Sequence, residues 1–321
     1  MAASSQAVSQ GPSDKRPVAV FLDRLRQGDE LAYSVTLAAA CLVLLVTGLL
    51  VYELYANSAA SRAQFGWNFL ITSVWDPVND QFGALPFIYG TVVTSALALL
   101  IALPLGVGAA IFLAELAPAR ISSGLTFLIE LLAAVPSVIY GLLGVFVLIP
   151  ILRSMEPFIR AGLGWTPLFQ GPFYGVSLFS AGVVLAVMIV PFIISISREV
   201  IMAVPNDQRE AALALGATRW ETTWDVVIPY ARNGIMGSVF LALARSLGET
   251  MAVTMVVGND PRIKASLFAP GYSTAAVIAN EFTEATGEMY TSALIELALV
   301  LFALTVVING LARLLVRRSV I

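Results

Sequence analysis

Six stretches of this chain are apolar for more than twenty residues and nearly free of charge: about 33–55, 85–116, 121–152, 176–198, 233–258 and 290–316. A bilayer core about 30 Å thick is crossed by roughly 20 residues of helix. Within lipid the backbone can satisfy its own polar groups only as helix or closed barrel. The runs therefore predict an all-α integral membrane protein with about six transmembrane helices. The second and third runs are long and contain Pro104 and Pro136, which predicts tilt, a kink or a partly interfacial end.

Composition narrows the function classes. Of 321 residues, 58% are hydrophobic and 12% charged, against about 25% charged in soluble domains. Cys41 is the one cysteine and there is no histidine, which rules out a disulfide within the chain. Zinc sites and Ser-His or Cys-His catalysis also lose their usual residues. A net charge of −3 speaks against nucleic acid as a partner. The two lysines, Lys15 and Lys264, do not follow glycine-rich loops, so no Walker A lysine is present. The chain is expected not to be an enzyme and to carry no metal or cofactor. Any ATP hydrolysis falls to another chain.

Positive charge sets the expected orientation. With the N-terminus in the cytoplasm, twelve Lys and Arg residues fall inside and five outside, and Arg245 is left within a span. Both termini and the 199–232 loop are then cytoplasmic. Residues 1–16 are polar and predict a disordered tail. Residues 17–32 place Val20, Phe21 and Leu25 on one face and predict an interfacial amphipathic helix. Residues 33–84 hold the first span and an outside loop, and 85–318 form the core. The charged lead and full-length first run read as a span, not a cleaved signal peptide.

The 199–232 loop carries a helix–turn–helix pattern. Pro205, Asn206 and Asp207 open a short helix bearing Glu210, Ala211 and Ala212, and Gly216 supplies the left-handed residue that ends it. Thr218 to Glu221 is a capping-box sequence that opens a second helix, which Pro229 is expected to stop. The small alanines suit close seating in a groove of another protein. The plainer reading is an ordinary amphipathic loop.

Arg245 lies in the fifth apolar run, with Glu249 four residues on, which on a continuous helix puts both on one face. A charge at mid-membrane costs about 2.5–3.5 kcal/mol by insertion scales. An arginine fork fits phosphate oxygens two at a time. A carboxylate beside it suits an anion bearing its own proton: hydrogen phosphate can donate its P–OH to Glu249, whereas sulfate at neutral pH has none. A self-neutralised pair that holds the helix against a neighbour is the alternative. Glu130 and Glu296, isolated in other spans, are expected to face a protein interface or to sit protonated.

The spacing of Glu210, Ala211, Ala212, Gly216, Ile228 and Pro229 resembles the coupling loop of ABC importer permeases. Within that class, LGETMAVTMVVGN (247–259), the run 83–116 from GALPFIYG to LAEL, and LLAAVPSVIYGLLGVFVLIP (131–150) resemble the PstC family of phosphate importer permeases. WDP at 75–77, FGALP at 82–86 and PLFQGPFYG at 167–175 point the same way. The resemblance covers roughly residues 17–318 and implies the type I importer permease fold in the inner membrane. It also implies a PstA-like sister permease, two PstB-like ATPase subunits holding ATP and Mg²⁺, and a PstS-like phosphate-binding protein. Arg245 and Glu249 would lie on the path of inorganic phosphate. Glu210, Ala211, Ala212, Gly216 and Pro229 would meet the ATPase. A permease for sulfate or molybdate, or a membrane signalling subunit, is the rival reading.

Overall fold

The computed structural model describes residues 29–318, with side chains described for 30–314. The expected tail at 1–16, and residues 17–28 of the expected interfacial helix, lie outside the described residues. The chain divides into two compact units, residues 1–53 and 54–321. The described part of the first belongs to helix α1 (Asp29–Asn57), whose apolar side chains are exposed over most of its length.

The second unit continues with short helices α2 (Ala59–Phe65) and α3 (Asn68–Ile71), then α4 (Leu85–Ile111), α5 (Ala119–Ala133), α6 (Ser137–Leu143) and α7 (Ile149–Leu163). Helices α8 (Leu178–Met202), α9 (Asn206–Ala214), α10 (Arg219–Thr222) and α11 (Ile228–Leu247) follow. Helices α12 (Met251–Val257), α13 (Thr274–Glu281) and α14 (Glu288–Arg318) complete it. Six helical stretches among the described residues are long and apolar enough to cross a membrane.

The third span is not where the hydropathy of 121–152 puts it. That run breaks at Pro136, which has no N–H and biases Val135 away from helix. Helix α5 therefore has 15 residues, about 22 Å of rise, too short to cross. The crossing stretch is Ser137–Leu163. The fifth span also differs: it runs through Arg219–Leu247 and stops there, and α12 is a separate helix.

Among the described residues three single π-turns interrupt or end helices, at Phe112–Leu116, Gly144–Leu148 and Thr223–Val227. Each is closed by a wide bond from the residue just before a proline. Ala117 donates to the Phe112 carbonyl ahead of Pro118, Ile149 to Gly144 ahead of Pro150, and Ile228 to Thr223 ahead of Pro229. A proline cannot donate to the carbonyl four residues back, and its ring crowds that carbonyl. The extra residue of a π-turn relieves both. After Pro150 and Pro229 the helix carries on, so Pro229 does not stop the elbow's second helix but sits at the start of α11.

Helix α8 is the axis of the unit, with 61% of its most apolar window buried, against 28–39% for the other spans of this unit. It lies close against α4, where a Cβ on Gly182 would come within 2.5 Å of Leu97 Cδ2. One core cluster joins α4, α6, α7, α8 and α12 through Ala102, Tyr140, Ile189 and Val256. A second joins α3, α4, α13 and α14 through Phe69, Phe87, Ala276 and Leu294. The third joins the end of α4, the end of α8 and the start of α11 through Leu113, Ile201, Val227 and Ala231.

Candidate functional site

The polar loop between α8 and α11 folds as two short helices with well-defined ends. Leu215 and Gly216 close α9: Gly216 has φ +91° and donates to the Leu213 carbonyl at 3.0 Å, and Ala217 donates to Ala212 at 3.2 Å. This is the paired-bond C-terminal motif that a left-handed glycine permits. Two residues later the capping box forms in full. The Glu221 N–H donates to Thr218 Oγ1 at 3.2 Å, and Glu221 Oε2 accepts the Thr218 N–H at 2.7 Å. The elbow has no slack between its arms.

Its outer surface is apolar at the centre. Glu210, Ala211, Gly216 and Pro229 are exposed and Ala212 is half-buried. Beside them Leu213, Trp220 and Trp224 are exposed, Leu215 is 91% exposed, and the two indoles meet edge to face at 5.6 Å. Large apolar side chains held outward on a polar loop mark a contact surface for a protein or a membrane.

Its inner side is fastened by a residue that charge counting alone did not single out. The Arg209 guanidinium donates through Nη2 to Glu115 Oε1 at 2.7 Å and to the Ile201 carbonyl at 2.8 Å. Nη1 donates to the Val204 carbonyl. Arg209 and Glu115 side chains are 17% and 13% exposed. One side chain thus links α9 to the last turn of α8 and to the π-turn that ends α4. Glu115 is 94 positions away, so no sequence spacing could have shown the pair.

Arg245 and Glu249 are near one another in the chain but are not joined. The helix ends at Leu247, Gly248 follows, and Glu249 lies in the connection to α12. Gly is a poor helix residue, and the Glu249 carboxylate finds a local partner instead: Oε1 accepts the Ala252 N–H at 3.3 Å. Arg245 is exposed on the last turn of α11, its guanidinium 5.9 Å from the centre of the Phe192 ring on α8. The expected one-face helical pair is thereby replaced by two separate groups on either side of a helix break. Among the described residues no hydrogen bond or ion pair engages the Arg245 guanidinium, and the Phe192 ring is its aromatic neighbour. Phe192 was not foreseen, because nothing in the local sequence aims it at Arg245.

Of the isolated carboxylates, Glu296 is 5% exposed and accepts the Ser61 hydroxyl. Glu130 is exposed on α5. On the side of the unit where α4 and α14 begin, Glu281 Oε2 accepts both the Trp75 indole N–H at 2.8 Å and the Tyr290 hydroxyl at 2.7 Å. This ties the 72–84 loop to α13 and α14. Asp260, in the segment before α13, is held below the usual carboxylate range by hydrogen bonds from Arg262.

Residues 102–320 match the family described as binding-protein-dependent transport system inner membrane component. A Mesorhizobium japonicum protein named phosphate transport system permease protein PstC is 50% identical over 295 residues, covering 90% of each chain. Its namesake in Haemophilus influenzae is 45% identical over 87% of this chain and 90% of its own. A probable counterpart in Methanocaldococcus jannaschii is 38% identical over 89% and 92%. Among solved structures, a bacterial alginate ABC transporter in complex with its alginate-bound periplasmic protein is similar, with TM-score 0.59 and 17% identity. That likeness covers 94% of this chain and 98% of that one, and at this identity it speaks for the fold alone.

Proposed function

The chain belongs to the family of binding-protein-dependent transport system inner membrane components, and from that premise we infer that it is a permease subunit of a phosphate ABC importer. The observation that carries the reading is 50% identity over nine tenths of both chains to a relative named as a phosphate transport permease. It is a multi-pass membrane protein of the type I permease fold. Relatives named for sulfate or molybdate would favour the rival substrates; those described here are named for phosphate.

The working complex pairs this chain with a PstA-like sister permease, two PstB-like ATPase subunits and a PstS-like binding protein, with both termini in the cytoplasm. ATP and Mg²⁺ belong to the ATPase pair. The exposed Leu215, Trp220 and Trp224 around Ala211 and Gly216 suit the groove of an ATPase subunit. Closure of that pair would push the elbow, and the elbow's tight caps would pass the push to α8 and α11 instead of absorbing it.

Arg245 is the residue that meets phosphate on the path, its free fork taking two oxygens. Glu249, with Oε1 occupied by the Ala252 N–H, has Oε2 for the P–OH of hydrogen phosphate. The test is radiolabelled phosphate uptake at low micromolar concentration in cells lacking the gene and any other phosphate importer. The native gene restores uptake and Arg245→Gln, at equal membrane abundance, does not. Uptake that is indifferent to the gene, or abolished by excess molybdate, overturns the substrate.

A further inference from the structure

A cavity of about 620 Å³ lies along α14, walled by α2, α3 and the start of α4. Neither the elbow nor Arg245 uses it. Its α14 wall is a single stripe of Glu296, Val300, Ala303, Leu304 and Val307 at three- and four-residue spacing. The stripe is about 16 Å long, close to half of a ~30 Å hydrocarbon core. Leu70 and Ile88 form the opposite apolar wall. The cavity has the reach and lining of a slot for hydrocarbon in one leaflet.

Its head is polar. Among the described residues, Glu296 is the one charged side chain in the buried class. Ser61 donates to its Oε2 at 2.5 Å, and no described group donates to Oε1. The carboxylate sits in a small polar network. Ser61 lies in α2, just past the end of the first span, and its N–H donates at 3.1 Å to Ser292 Oγ, which in turn donates to the Asn57 carbonyl at 3.1 Å. Trp67, 85% exposed at the same rim, is a residue that favours the headgroup level. Arg62 also lines the cavity, its guanidinium 3.6 Å above the Tyr55 ring.

We propose that this slot binds one phospholipid with a primary ammonium headgroup. The ammonium donates to Glu296, the phosphate lies by Arg62, and one acyl chain runs along Val300 to Val307. The head supplies a cation and an anion, as a zwitterionic ligand requires. A lipid without an amine would bring its phosphate against a buried carboxylate. A trimethylammonium has no N–H to donate.

The test uses the assembled transporter, washed in detergent and offered equal amounts of phosphatidylethanolamine, phosphatidylglycerol and phosphatidylcholine, with retained lipid read by native mass spectrometry. Phosphatidylethanolamine should be retained about fivefold over the others, the worth of one interfacial charge. Glu296→Gln, which keeps an acceptor for Ser61, should erase the preference. Ala303→Trp, which fills the slot, should remove one lipid per complex. An undiminished preference in Glu296→Gln overturns the proposal. So does full crosslinking of Ala303→Cys to the sister permease, which would make a protein helix the occupant. If Glu296→Gln fails to assemble, the two Ala303 variants decide. Retention is read without transport, so this result and the uptake result fail separately.

Discussion

A single arginine in an apolar run was enough to mark Arg245, because the cost of placing it there needs a reason. Its expected partner was misjudged for a local cause. Four-residue spacing implies contact only on an unbroken helix, and Gly248 breaks this one, freeing Glu249 to cap the start of α12. The signal was present: a glycine followed by an acceptor three residues ahead of a donor N–H is what a helix start looks like. The separation makes the two roles testable independently. Arg245→Lys keeps the charge but loses the planar fork, and should reduce uptake about tenfold or more, the worth of a charge-assisted hydrogen bond. Glu249→Gln keeps an acceptor for Ala252 and loses only the charge. It should leave assembly intact and let sulfate compete with phosphate about tenfold better. Unchanged sulfate competition would remove Glu249 from substrate discrimination.

At the scale of elements, both ends of the elbow were legible. Gly216 and the Thr218–Glu221 box are local devices in which each partner lies within a few residues. A Cβ on Gly216 would meet nothing within 4 Å, so Gly216→Ala tests the backbone conformation alone. It should cost about 1–2 kcal/mol, and Thr218→Ala about 1 kcal/mol, each read as a lowered unfolding midpoint. Pro229 was legible as a breaker but not as what it became. A π-turn ahead of it lets α10 run into α11 with no end. Whether a proline stops a helix or is absorbed depends on the packing that pays for the wider turn, here Val227 and Ala231 in the cluster with Leu113 and Ile201. Pro229→Ala allows that turn to close to ordinary helix, and one residue's change rotates the elbow by about 100° against α11. Uptake per transporter should fall while membrane abundance holds. Full activity would mean the turn has no part in coupling.

At the scale of the molecule, the number of spans came from hydropathy, which needs only length and polarity, while their packing came from contacts no local pattern holds. Arg209 shows the difference. In the sequence it is one positive charge among several in the 199–232 loop. In the fold it bonds the ends of α4 and α8 to the exposed helix α9. An elbow that is pushed must drag both helices for the path to change, and the cluster around Leu113, Ile201 and Val227 packs their ends together without directional bonds. The Arg209–Glu115 pair resists sliding, because separating it leaves a mostly buried carboxylate unpaired, at up to about 3 kcal/mol. Arg209→Ala should therefore leave ATP hydrolysis by the reconstituted complex largely intact while lowering phosphate imported per ATP severalfold. Exchanging the pair, Arg209→Glu with Glu115→Arg, should recover part of that ratio even though the bonds to Ile201 and Val204 stay lost. Loss of hydrolysis and uptake in equal proportion would instead mean that Arg209 only holds the elbow folded.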